Sequence, residues 1–102
     1  MYALAFDLVV SDTNKYHPKS ISRAYNEIAS TLATFGFKWV QGSLYVNENE
    51  DMSNLFEAIT QLKLLPWLPK SVRNIRAFKV EQWSNFTNLV KKEPAPLALG
   101  VS

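Results

Sequence analysis

A single carboxylate interrupts the most apolar stretch of the sequence. Asp7 stands within residues 2–10, where every other residue is aliphatic or aromatic. A carboxylate in apolar surroundings is costly unless it is hydrogen-bonded, bound to a metal or placed at a solvated strand end. Two interpretations follow. Asp7 is either a metal ligand or general base, or it lies near the strand terminus, satisfied by backbone N–H groups or a lysine.

A second candidate site surrounds the glycine of the segment VQGSLY, residues 40–45. Gly42 allows the backbone to bend inside a stretch that is otherwise typical of β-structure, and Ser43 then presents a hydroxyl at the bend. Gln41 and Ser43 could bind a phosphate or the edge of a base. The simpler interpretation is a bulge whose hydroxyl is satisfied locally.

Two groups of basic residues could contact phosphates. One group recurs every three positions, as Lys70, Arg73, Arg76 and Lys79, and the other comprises Lys15, His17, Lys19 and Arg23. They could surround a groove for nucleic acid together with the aromatic residues Tyr16, Trp67 and Trp83. A period of three does not keep one face of a strand, so solvated surface is the simpler interpretation of the basic residues. The simpler interpretation of Trp67 and Trp83 is that they anchor the core or a dimer. A surface histidine without a role is likewise the simpler interpretation of His17, which could otherwise be a general acid or base.

Several classes of chemistry are excluded by composition. The 102 residues include no cysteine, which excludes disulfides, thiolate metal sites and cysteine nucleophiles. One histidine excludes a zinc ion held by several imidazoles of one chain. The motifs of dinucleotide, P-loop, serine hydrolase and zinc protease sites are absent from the sequence. The apolar N-terminus lacks a basic n-region, and no stretch approaches the ~20 residues of a membrane span, so we expect a cytoplasmic protein.

Hydrophobic periodicity predicts the elements that position these residues. A strand over residues 2–10, apolar on both faces, is followed by a turn at residues 11–14 and a polar segment to Lys19. A helix of about sixteen residues then begins after Ser20 as N-cap and stops near Gly36. Two short strands at 37–41 and 43–46 precede a helix capped by Asp51, a strand at 72–80 and a short helix within 81–92.

The order of the first six elements, βαββαβ, is typical of the α+β ferredoxin-like sandwich, in which both helices cover one face of an antiparallel sheet. We predict one such domain over residues 1–92 with an extra C-terminal helix, and a flexible tail over residues 93–102. The first strand is apolar on both sides, although helices cover only one face of such a sheet. We therefore expect a second copy to cover the open face in a homodimer.

Several separated segments resemble one known family. In chain order they are MYALAFDLVV, HPKS, FGFKWVQGSLYV, NEDMSNLFEAI and LPWLPKSVRNIRAFKVEQWSNFT, all within residues 1–92. The chain is similar to the virulence-associated protein D (VapD) family. More distantly, it resembles the small ferredoxin-like subunit of the CRISPR adaptation complex, with which it shares an Asp near the end of an apolar first strand and a V-Q-x-S-hydrophobic-aromatic element.

The resemblance implies a ferredoxin-like homodimer with endoribonuclease activity, in some relatives the toxin of a toxin–antitoxin module with a small antitoxin protein. It also implies that Asp7 is the essential carboxylate and that Ser43 lies close to it, so we predict Asp7 and Ser43 as the catalytic residues. On this basis RNA is the expected substrate, bound through Gln41, Lys70, Arg73 and Arg76.

Two chemical routes remain open for such a site. The Asp7 carboxylates of two copies could share a divalent cation such as Mg²⁺ that activates water. Alternatively, one Asp7 acts as a base on the ribose 2′-OH without metal. The alternative from another class is a non-catalytic module that binds nucleic acid or a protein through the same groove, with a structural Asp7.

Overall fold

A four-stranded antiparallel sheet organises the computed structural model, which describes residues 1–92. The predicted tail at 93–102 lies outside the described residues. The elements are, in chain order, β1 (Tyr2–Leu8), α1 (Val10–Tyr16), α2 (Ile21–Thr34), β2 (Lys38–Gln41), β3 (Leu44–Asn47), α3 (Met52–Lys63), β4 (Val72–Lys79) and α4 (Thr87–Lys91).

The strand order is β2-β3-β1-β4, which places β1 at the centre of the sheet. β1 pairs antiparallel with β3 on one side, where Tyr2 faces Asn47, and with β4 on the other, where Tyr2 faces Lys79. A central first strand and the α+β ferredoxin-like order predicted from the sequence are confirmed.

Helices α2 and α3 begin at the predicted caps. The Ser20 hydroxyl accepts a hydrogen bond from the Arg23 N–H, and the Asp51 carboxylate accepts two, from the N–H groups of Ser53 and Asn54. These bonds satisfy amides that have no partner within the first turn of a helix. Gly36 has φ +87°, so it ends the first of these helices in a conformation that favours glycine.

The core lies between these two helices and one face of the sheet. Alternate residues of β1 point into it, and they pack with the buried stripes of both helices: Leu4, Phe6, Leu8, Ala24, Ile28, Leu32, Leu55, Ala58 and Leu62. The other β1 residues, Ala3, Ala5 and Asp7, belong to the opposite, open face. There Ala3 pairs with Val46 and Phe78, and Ala5 pairs with Leu44 and Arg76.

The predicted turn after β1 is wrong, because the chain forms the helix α1 instead. The Thr13 hydroxyl and N–H both bond to the carbonyl of Val9, and Thr13 is the one buried residue of this helix. A two-turn helix with one buried threonine carries no apolar stripe, so hydrophobic periodicity could not reveal it. His17, which follows this helix, is 6% exposed, and the interpretation as a surface histidine is therefore also wrong.

The predicted C-terminal helix is much shorter than the segment 81–92. α4 spans Thr87–Lys91, and its apolar side chains, with those of Trp83 and Phe86, are largely exposed. Helical spacing of apolar residues therefore occurs here without a surface that buries them. Within residues 1–92, no helix has the length and apolar character needed to cross a membrane.

Candidate functional site

Asp7 is the penultimate residue of β1 and lies on the open face of the sheet. Its Oδ2 accepts a hydrogen bond from Arg73 Nη1 at 3.2 Å. The two side chains are 57% and 63% exposed, so this ion pair is solvated. The position matches the interpretation in which Asp7 lies near the strand terminus, with an arginine in place of the expected lysine or backbone partner. Consequently no buried charge needs explaining.

A bulge in β4 brings Arg73 to Asp7. Asp7 pairs with Asn74, whereas the next β1 residue, Leu8, pairs with Val72, so Arg73 is an extra residue in the ladder. Such a bulge redirects side chains locally and is common beside functional sites. The three-residue spacing of Arg73 and Arg76, which would place them on opposite faces of a regular strand, therefore becomes compatible with one face.

Arg76 continues the basic surface along the open face. It pairs with Ala5, two residues before Asp7, and paired residues of antiparallel strands share a face. Arg76 is exposed and has no ion-pair partner within the described part of the chain. One arginine thus contacts the single carboxylate and a second lies further along the same strand, an arrangement suited to successive phosphates of a nucleic acid.

The Gly42 turn lies at the same end of the sheet as Asp7. Gly42 has φ +48°, and its carbonyl accepts the indole N–H of Trp39 at 2.8 Å. The carbonyl of Ser43 accepts the N–H of Phe6, the neighbour of Asp7, at 3.3 Å. The backbone of Ser43 therefore lies beside the end of β1. Gln41 ends the edge strand β2 and is exposed, one strand further from Asp7.

Tyr45 belongs to the core beneath this site. Its ring is 4% exposed and stacks on that of Phe6 with centroids 6.0 Å apart. Burial raises the pKa of the Tyr45 phenol, and the nearby Tyr25 raises it further. A buried neutral phenol supports the strand that carries Asp7 and contributes no charge to the site.

Comparison with known proteins shows which family the chain resembles. The model of the family described as CRISPR associated protein Cas2 matches residues 1–87. The chain is 65% identical over 91 residues to a protein of Neisseria gonorrhoeae named endoribonuclease VapD homolog, and 58% identical over 91 residues to endoribonuclease VapD of Haemophilus influenzae. Each alignment covers 89% of this chain and 99% of the relative.

A third relative, endoribonuclease VapD 1 of Riemerella anatipestifer, is 52% identical over 86 residues, which cover 84% of this chain and 97% of that protein. The chain belongs to the VapD family. The resemblance inferred from the sequence is therefore confirmed.

Among the predicted RNA-binding residues of this VapD family member, Lys70 contacts the Tyr16 ring and not the Asp7 site. It lies in the loop before β4, and its Nζ is 5.3 Å from the centroid of the Tyr16 ring. The two tryptophans of the predicted groove lie apart from each other: Trp83 lines a hollow with Gln41 and Leu44, and Trp67 lines one with Tyr16 and Lys70. Trp67 is buried in the core, as its simpler interpretation held, and Trp83 is half exposed.

The divalent cation of the metal-dependent route would find one carboxylate in this site. Within residues 1–92, no three His, Asp or Glu residues are close enough to hold a metal ion. Mg²⁺ is commonly bound through one or two carboxylates together with substrate phosphates. Asp7 fits that role only with RNA phosphates or a second Asp7 as further ligands, and only if Arg73 releases its oxygen.

A polar cluster around the half-exposed Glu27 supports the loops beside the site and was missed by sequence reasoning. Glu27 Oε2 lies 2.7 Å from both His17 Nε2 and Trp67 Nε1. The N–H groups of Lys19 and Ser20 donate to His17 Nδ1. Because Nδ1 accepts these bonds, the ring proton is on Nε2 and His17 donates to Glu27. His17 and Trp67 are 10 and 40 residues from Glu27 in the sequence. No local sequence pattern could therefore predict that the three side chains meet.

Removing Glu27 should destabilise the fold, because two largely buried N–H donors would lose their shared acceptor. We expect Glu27→Ala to lower the free energy of unfolding by about 2 kcal/mol in urea titrations, since partial exposure lets water replace some of the bonding. Glu57→Ala is the matched control, as Glu57 is an exposed residue of α3. Equal unfolding midpoints of the two variants would show that the cluster contributes nothing.

Proposed function

We propose that this protein is an endoribonuclease whose reaction depends on Asp7. The observation that carries the proposal is an exposed carboxylate paired with Arg73 on the open sheet face, in a family whose relatives are named endoribonucleases. The expected partner is RNA, and the expected compartment is the cytoplasm.

The catalytic cleft is proposed to form between two copies of the chain. Each copy supplies one carboxylate at this position, which is sparse for catalysis. Ala5, Leu44 and Val46 are half-buried apolar residues on the same open face as Asp7. A two-fold interface over these residues would remove apolar surface from water and bring two copies of the Asp7 site toward one cleft.

RNA is proposed to lie across the basic end of this face. Arg73 and Arg76 would neutralise the phosphates next to the scissile bond. Gln41 would donate a hydrogen bond from its side-chain amide to the RNA, further along the RNA strand. Ser43 would donate its hydroxyl to a phosphate oxygen. Because these contacts are largely ionic, affinity should fall as salt rises.

Cleavage by the residues of the chain requires one displacement and two proton transfers, one from the 2′-OH and one to the departing 5′-oxygen. Asp7 would accept the proton of the ribose 2′-OH, whose oxygen then attacks phosphorus as the bond to the 5′-oxygen breaks. Arg73, released from Asp7, would stabilise the negative charge on the phosphoryl oxygens. The products are a 2′,3′-cyclic phosphate and a 5′-hydroxyl, whose oxygen takes its proton from water while Asp7 returns the proton of the 2′-OH to solvent. A divalent cation at Asp7, when bound, would instead supply an activated water.

A circular RNA tests the proposed activity, because it offers no ends to an exonuclease. We expect the protein to linearise it, and to leave a circular DNA of the same sequence intact if the 2′-OH is the nucleophile. Loss of cleavage in EDTA would instead assign Asp7 to metal binding. An intact RNA circle under all conditions would contradict the endoribonuclease and favour a binding module.

A small antitoxin protein is the further partner proposed from the family resemblance. Such a protein would block the cleft or the dimer interface. Co-expression with the neighbouring open reading frame tests this proposal. An antitoxin should co-purify with the chain and suppress linearisation of the RNA circle. Linearisation at an undiminished rate in its presence would contradict the pairing.

A further inference from the structure

A tyrosine between two ammonium groups lies outside the site described above. Tyr16 ends α1 and is 39% exposed. Lys15 Nζ lies 5.2 Å from the centroid of its ring and Lys70 Nζ lies 5.3 Å from it. Neither lysine forms an ion pair with a residue of the described range 1–92. Two ammonium groups therefore lie beside one accessible aromatic ring. An aromatic ring can stack on a base, and neighbouring ammonium groups can bind its phosphates.

The two segments that carry this site are held together by the polar cluster around Glu27. Tyr16 immediately precedes His17, and the His17 ring packs edge-on against Trp67 with centroids 5.0 Å apart. Both donate to Glu27. Lys70 immediately precedes Ser71, a fully buried residue whose hydroxyl donates to the Trp67 carbonyl at 2.8 Å. The ring and the second lysine are therefore preorganised relative to each other.

The same segments connect directly to the Asp7 site. The N–H of Val9 donates to the carbonyl of Ser71 at 2.7 Å, which joins the end of β1 to the start of β4. Lys70 is three residues before Arg73, so their Cα atoms are at most about 11 Å apart. A path of basic residues thus leads from Asp7 through Arg73 and Lys70 to Tyr16.

We propose that Tyr16, Lys15 and Lys70 form a subsite for a nucleotide that flanks the scissile bond of single-stranded RNA. The base stacks on the Tyr16 ring, and the lysines turn from the ring to the adjoining phosphates. A hollow beside the ring is lined by Pro18, Glu27, Pro66 and Trp67. The Glu27 carboxylate repels phosphate there, so the hollow receives the base and the backbone stays on the lysine side. The subsite rests on the proposed function, because it lengthens the RNA path of that site.

RNA affinity measured without cleavage tests the subsite. A fluorescein-labelled single-stranded RNA is titrated into chains that carry Asp7→Asn, and anisotropy is followed over a range of salt concentrations. Adding Tyr16→Ala should weaken binding about tenfold, whereas Tyr16→Phe, which keeps the ring, should bind normally. Lys70→Ala should reduce the slope of log affinity against log salt by about 0.7, and the exposed control Lys63→Ala should leave it unchanged.

Unchanged affinity of the Tyr16→Ala chain, or equal salt slopes for the two lysine variants, would overturn the subsite. If Tyr16→Ala fails to fold, the Lys70→Ala comparison decides alone, because that side chain is exposed. These measurements are independent of catalysis. A chain that binds RNA through Tyr16 but leaves the RNA circle intact would contradict the endoribonuclease and keep the subsite.

Discussion

Replacing Val46 by Glu is expected to convert a dimer into monomers and to lower RNA cleavage at least tenfold. Val46 lies on the open face, paired with Ala3 of β1 and Lys38 of β2, and is half-buried in the single chain. In the proposed dimer two such positions would be enclosed. Enclosing a carboxylate at each, together with the ammonium group of the facing Lys38, would cost several kcal/mol of desolvation, enough to separate the copies.

Sedimentation and cleavage assays on the same preparations check this expectation. Ala33→Glu is the matched control, because it adds the same charge at an exposed position of α2. The control should remain dimeric and active. If the Val46→Glu chain is a monomer that cleaves RNA at the normal rate, the cleft belongs to a single copy and the proposed two-fold site is wrong.

Replacing Asp7 by Asn is expected to lower the cleavage rate at least a hundredfold while the melting temperature stays nearly constant. The activity loss follows because Asn cannot accept the proton that general base catalysis transfers, a contribution of roughly 10²–10⁴ in rate. The stability should hold because the Asp7–Arg73 pair is solvated, and exposed ion pairs contribute only about 0–1 kcal/mol.

Calorimetry beside the assay separates this account from a purely binding module. In a binding module with a structural Asp7, Asn would lower the melting temperature and leave RNA affinity nearly intact. Asp12→Asn is a suitable control. Asp12 lies in the first turn of α1, so this substitution removes one carboxylate shortly after β1 and leaves the Asp7–Arg73 pair intact. A parallel loss of activity in this control would indicate a general effect of charge.

The parts of the fold that sequence could predict are those with local signals. β1 is dense in apolar residues on both faces, and the caps Ser20 and Asp51 precede long amphipathic helices, so periodicity and capping identify each element within one stretch of chain. α1 carried no such signal, since Thr13 is its single buried residue. The short helix predicted within 81–92 is present as α4, although its apolar side chains stay exposed.

The site was harder to predict because its geometry depends on pairs of distant segments. Asp7 stood out by composition, yet its partner Arg73 is 66 residues away and reaches it only through a bulge in the β1–β4 register. A spacing rule based on regular strands therefore assigned the arginines to different faces. The position of Lys70 against Tyr16 likewise depends on the cluster around Glu27, which no local pattern revealed.

The central claim is that the Asp7 carboxylate carries RNA cleavage. Its most direct test is the single-turnover rate of cleavage of an end-labelled RNA, with protein in excess, for the unmodified chain and for Asp7→Asn. Saturating protein removes differences in binding, so the rate reports the chemical step. We expect a rate at least a hundredfold lower for Asp7→Asn. Equal rates would remove Asp7 from the mechanism.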